Sequence, residues 1–142
     1  GVQTCALPIL EEHQKAWLLW CYGGNICWEH QIAITQWGWS EFKTQSGSRK
    51  IAVKTLERVK KLIWLAAQDV RGWVTGCEVY QRQELARLCG VKPDNWSHNY
   101  ANYWREMCDI FKRLDRESLI CSVKIRAQQK ATFSRRDIAK VN

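Results

Sequence analysis

The chain has 142 residues, enough for one domain with a real hydrophobic core. Its formal net charge of +8 is unevenly placed: residues 11–46 hold two Lys against four Glu, and residues 47–142 hold 20 Lys and Arg against 10 Asp and Glu. A basic second half suits an anionic partner, or is merely a solvated surface, and with no apolar run near the roughly 20 residues of a span, no membrane partner is expected.

The first nine residues, GVQTCALPI, resemble the frame translation of a sequencing adapter and carry no initiating Met. Residues 1–9 are therefore set apart as an adapter-derived artefact, Cys5 with them. The native chain is expected to enter near Leu10, its own N-terminus missing, and no signal peptide is visible. Residues 11–22 predict a first helix with Trp17, Leu18 and Cys21 on one side, broken by Gly23-Gly24-Asn25. Trp28, Ile32, Thr35, Trp39 and Phe42 recur at helical spacing and predict a second helix to about Gln45. Gly38 sits inside that stripe at a cost of about 1 kcal/mol relative to Ala, so a close helix contact is expected to need it. Ser46-Gly47-Ser48 reads as a linker.

A third helix, Arg49 to Val70, buries Leu56, Val59, Ile63, Ala66, Ala67 and Val70. Its polar face carries Arg49, Lys50, Lys54, Arg58 and Lys61, and Gly72 to Gly76 reads as a loop. Then comes QRQELARLCGVKPDNWSHNYANYWREM, residues 81–107, which reads as helix, tight turn and helix. Ala86 sits where two helices would cross, and Gly90 ends the first in a left-handed conformation. Val91 plugs the crevice, Pro93 opens the next helix, and Trp96 takes the slot where a helix-turn-helix buries an apolar residue. An ordinary helical hairpin would share these features.

Past the turn, Trp96, Tyr100, Tyr103, Trp104, Met107, Phe111 and Leu114 form one stripe of a long helix. The opposite face carries Asp94, His98, Ala101, Asn102 and Arg105. Asn can pair with adenine, Arg with guanine, and Asp can accept from cytosine. The candidate DNA-binding residues are Lys54, Arg58, Lys92, Asp94, Ser97, His98, Asn102 and Arg105. From Ser118, Cys121, Val123 and Ile125 alternate as in a strand, while Leu119, Val123 and Ala127 suit a helix. A lone strand would lack a partner, so helix or coil is expected. Residues 118–142 carry Lys124, Arg126, Lys130, Arg135, Arg136 and Lys140 against Asp137 alone, which makes a basic tail.

Chemistry is harder to find. The Cys residues at 5, 21, 27, 77, 89, 108 and 121 are scattered without a CxxC, which suits reduced thiols in a cytosolic protein. Cys27 and His30 could ligate a metal together, but the second ligand pair of a zinc site is missing, so no metal and no cofactor is expected. The three His, at 13, 30 and 98, have no visible Ser or Cys partner, and no glycine-rich phosphate loop follows a strand, so no enzyme is expected. Trp20 and Trp37 are the aromatics least easily placed inside, and are candidates to face a partner.

The segments AWLLWCYGGNICWEHQIAITQWGWSEFK (16–43), RKIAVKTLERVKKLIWLAAQDVRG (49–72), the NW at 95–96 and QQKAT (128–132) resemble the Q proteins of lambdoid phages. These are late-gene antitermination factors, and the resemblance is to the type without a CxxC zinc motif. It covers nearly all of residues 11–142; family members continue further at the N-terminus, and Asn142 resembles the family's C-terminus. The resemblance implies double-stranded DNA at the phage late promoter and host RNA polymerase as partners, in the host bacterial cytoplasm. It implies a polymerase that reads through terminators, with no covalent chemistry done. Residues 11–33 also resemble the opening of a sigma-factor region 4, though no recognition helix follows in register.

The expected fold is all-α: a helical domain containing a helix-turn-helix, with a basic C-terminal tail. Residues 10–46 would form a helical hairpin, 47–117 the DNA-binding region and 118–142 the basic segment. The Trp-rich first half, with Trp20 and Trp37, is the candidate polymerase-facing surface. A helix-turn-helix repressor or activator acting only at the promoter is the alternative. A small helical nuclease would need converging carboxylates, and none converge.

Overall fold

Main-chain capping opens the first helix: the Glu11 N–H donates to Gln14 Oε1 at 2.9 Å. The chain, seen in a computed structural model that describes residues 8–77 and 79–141, is built of helices, with no strand among the described residues. Residues 1–7, which include most of the segment set apart above and Cys5, lie outside them, as do Glu78 and Asn142. The helices are α1 (Glu12–Cys21), α2 (Trp28–Ser46), α3 (Val53–Thr75), α4 (Arg82–Cys89), a short α5 (Pro93–Asn95) and α6 (Ala101–Val141). A π-helical turn, Trp96–Tyr100, joins α5 to α6 without a break in helical backbone.

The first part of α6 is the axis of the core, with α1, α2 and α3 packed against it. Trp17 of α1 stacks on Phe111 of α6, with ring centroids 5.8 Å apart. Ile34 and Phe42 come from α2, Val59, Leu62, Ala66 and Ala67 from α3, and Met107 and Leu114 from α6, all fully buried. Burial of each large side chain contributes about 1.5–3 kcal/mol, so this cluster holds the fold. Polar ties fix the helices around it. Asp115 Oδ1 accepts from Trp17 Nε1 at 2.9 Å and from Tyr22 Oη at 2.7 Å. Arg113 pairs with Glu41 at 2.7 Å, joining α6 to α2.

Four local expectations need correction. The buried stripe of α2 is Ile34, Gly38 and Phe42, whereas Trp28 is 67% exposed and Ile32 also faces out. Gly38 is what turns this face inward, because the Phe111 ring lies directly against it. The third helix starts at Val53, so Arg49 and Lys50 lie in the preceding loop, and Arg49 is drawn away to form a two-pronged pair with Glu106. Leu56 is only half-buried, while Leu62 is fully so. Gly72 does not open a loop: it is buried inside α3, and the helix runs to Gly76, whose φ of 74° suits glycine alone at low cost.

The region beyond Ser118 is helix, a continuation of α6 to Val141. At 1.5 Å per residue, α6 is about 60 Å long, far longer than the core it crosses. Its outer half therefore projects, and from Val123 to Lys140 every residue but Ile125 is exposed. No described helix is long and apolar enough to cross a membrane.

Candidate nucleic-acid interface

The turn between α4 and α5 follows from three residues. Gly90 takes φ 76°, its N–H donates to the Arg87 carbonyl at 3.1 Å, and the Val91 N–H reaches back to the Ala86 carbonyl at 3.0 Å. The paired bonds satisfy carbonyls that the end of α4 would otherwise leave open. Pro93 then starts α5, where a missing N–H costs nothing. Leu85, Ala86 and Cys89 of α4 are buried, and so is Trp96, at 2% exposure. Tyr80 fastens the start of the hairpin to α3: its N–H donates to Asp69 Oδ1 at 2.9 Å and its hydroxyl to Gln68 Oε1 at 2.7 Å.

The π turn has a physical cause in the aromatic spacing. Trp96, Tyr100 and Trp104 follow at intervals of four, and each interval overshoots a 3.6-residue turn by about 40°. A wider turn, closed by the Ala101 N–H on the Trp96 carbonyl, takes up the overshoot. Trp96 and Tyr100 then stay stacked, with centroids 6.4 Å apart and planes within 12°.

With that stripe held inward, Lys92, Asp94, Ser97, His98, Asn102 and Arg105 are all exposed. His98 Nδ1 lies 2.7 Å from the Asp94 carbonyl. A carbonyl can only accept, so Nδ1 donates, and Nε2 is the nitrogen left for a partner. Arg105 Nη2 donates to Asn102 Oδ1, which pairs the two side chains best suited to base edges. Ser97 and Arg105 line a cleft with Tyr80, Leu85, Trp96 and Trp104, and Arg82 of α4 lines it too. Arg82, missed in the sequence, becomes a neighbour of Arg105 only through the turn.

Cations of α3 also approach the hairpin. Arg58 Nη1 donates to Tyr100 Oη at 3.3 Å, which brings α3 against the π turn. Lys54 and Lys61 lie one turn either side of Arg58 and are exposed. Burial pushes the Cys89 thiol upward, and the nearby charges of Arg58 and Lys61 oppose that push. Arg58 and Lys61 thus border the α4 end of the hairpin, while Asn102 and Arg105 stand on the helix after it.

The two aromatic candidates fare differently. Trp20 is core: at 2% exposure it meets Trp17 edge-on and Trp64 at 5.2 Å. Arg71 lies over its ring at 4.9 Å and donates to its carbonyl at 3.1 Å. The expectation of a partner-facing Trp20 is thereby corrected. Trp37 is half-buried, one face stacked on His13 at 4.6 Å. The most exposed Trp of this half is Trp28, which with Ile32, Thr35 and Trp64 lines an almost wholly apolar groove, and Tyr22 is exposed too, its hydroxyl tied to Asp115. Among the described residues, no three His, Cys, Asp or Glu side chains come together to hold a metal ion.

Comparison with known proteins covers nearly the whole chain. The family model described as phage antitermination protein Q matches residues 4–139. The chain is 58% identical over 137 residues to a protein named antitermination protein Q from Enterobacteria phage 82. That alignment takes in 96% of this chain and 60% of the relative's length. No solved structure matches. The match across nearly the whole chain, at such identity, places it: the chain belongs to the phage antitermination protein Q family.

Proposed function

We propose that the chain acts in phage transcription antitermination, by binding alone and without a covalent step. The α4–α6 hairpin holds double-stranded DNA at the late promoter as a helix-turn-helix. Asn102 and Arg105 read base edges, His98, Ser97 and Asp94 border them, and Lys54, Arg58 and Lys92 take phosphates. The observation that carries this reading is the turn: a Gly90 left-handed cap, a buried Trp96 and a wholly exposed polar face after it. Host RNA polymerase, in the host bacterial cytoplasm, is the second partner. The less basic first half presents Trp28 and one side of Trp37 to it, since aromatics lose little rotamer freedom on docking.

In vitro transcription from the cognate late promoter across a terminator tests the reading. The chain is expected to raise read-through on that promoter and not on an unrelated one. Promoter occupancy without read-through would instead make it a regulator confined to the promoter.

A further inference from the structure

The outer half of α6 belongs neither to the core nor to the hairpin face. Three of its six cations share a row with an aromatic ring. Arg126, Gln129, Phe133, Arg136 and Lys140 follow at alternating spacings of three and four, which sets them in one row along the helix. The row spans about 20 Å. Phe133 stands in its middle, 66% exposed. Pro8 and Ile9 share a groove with Gln129, Phe133 and Arg136, and most of the ring stays open beside them. Among the described residues, the salt bridges involve His13, Arg49 and Arg113, and none of the row.

A row of cations matches any phosphate backbone. The aromatic ring in it is what selects. In a duplex the base faces are stacked on one another, whereas a single strand offers phosphates and open base faces together. We propose that this row is a binding site for single-stranded nucleic acid. Arg126, Arg136 and Lys140 neutralise phosphates along the strand, and Phe133 stacks on a base between Arg126 and Arg136. The site makes no use of the hairpin, so it stands or falls apart from the DNA reading above.

The test is fluorescence anisotropy on the whole chain, with an unstructured labelled strand of roughly 12 nucleotides, as RNA and as DNA, and the matching duplex. Phe133→Ala is expected to weaken binding of a single strand by about 5- to 100-fold and to leave duplex binding unchanged. Phe133→Leu, which keeps an apolar side chain on the helix, should show the same loss. Arg126→Gln combined with Arg136→Gln should flatten the salt dependence of single-strand binding by about 1.4 in log–log slope. Tight binding of either the RNA or the DNA strand that falls in these variants supports the site. Phe133 variants that bind single strands as tightly as the parent, or a chain that binds only the duplex, would overturn it.

Discussion

A β-carbon on Gly38 would stand 2.5 Å from Cζ of Phe111, so the α6 ring lies directly on the α2 backbone at this point. No methyl fits there without moving a fully buried ring. Gly38→Ala gains about 1 kcal/mol of helix propensity and meets an overpacking cost of about 1–3 kcal/mol. The net expectation is a loss of stability, read as a lower urea midpoint. Phe111→Leu in the same chain should recover part of it, and a double-mutant cycle between the two positions should show coupling.

Trp20 and Trp28 are expected to separate stability from docking. Trp20→Ala removes a buried ring that touches Trp17, Trp64 and Arg71, and should cost about 3–5 kcal/mol. DNA binding and read-through would then fail together with the fold. Trp28→Ala, at an exposed position, should leave the melting temperature and duplex affinity within error and lower read-through alone. Melting, duplex titration and transcription on one preparation of each variant check this.

The thiols give a pH prediction with a defined sign. Burial pushes Cys21 and Cys108 from an ordinary 9.0 up to about 12. Below about pH 9 both are protonated in folded and unfolded chains alike, and their neutral burial contributes in full. Above it the unfolded chain releases these protons first, so stability should fall as pH rises from about 9 towards about 12. Denaturant midpoints across that range measure it. At neutral pH, alkylation followed by mass spectrometry should label exposed Cys77 early, and Cys21 and Cys108 only on unfolding.

The sequence was most legible where the signal is local. Gly90, Pro93 and Trp96 define the turn through backbone geometry and near neighbours, and the structure has that turn as read. It was least legible where the deciding partner is distant. α2 carries two interleaved apolar sets, and only Phe111, far along the chain, selects the face with Gly38. In α1, the run Trp17-Leu18-Leu19-Trp20 is apolar on every side, so periodicity could not tell that Trp20 faces Trp64. Arg49 looked like part of a helical basic face because nothing near it reveals Glu106. The π turn leaves no compositional mark, although the fourfold aromatic spacing that drives it is visible in hindsight.

The central claim is that the face after the turn reads a DNA sequence. Its most direct test is the ratio of affinities for the late-promoter element and for random duplex, measured by gel-shift titration in the parent, Arg105→Ala, Asn102→Ala and Lys54→Ala chains. Arg105→Ala and Asn102→Ala are each expected to lose about 1–3 kcal/mol on the specific duplex and little on the random one, so the ratio collapses. Lys54→Ala should weaken both duplexes alike, flatten the salt dependence and leave the ratio in place. A ratio that survives Arg105→Ala and Asn102→Ala in folded protein would contradict the claim and assign sequence reading to some other face.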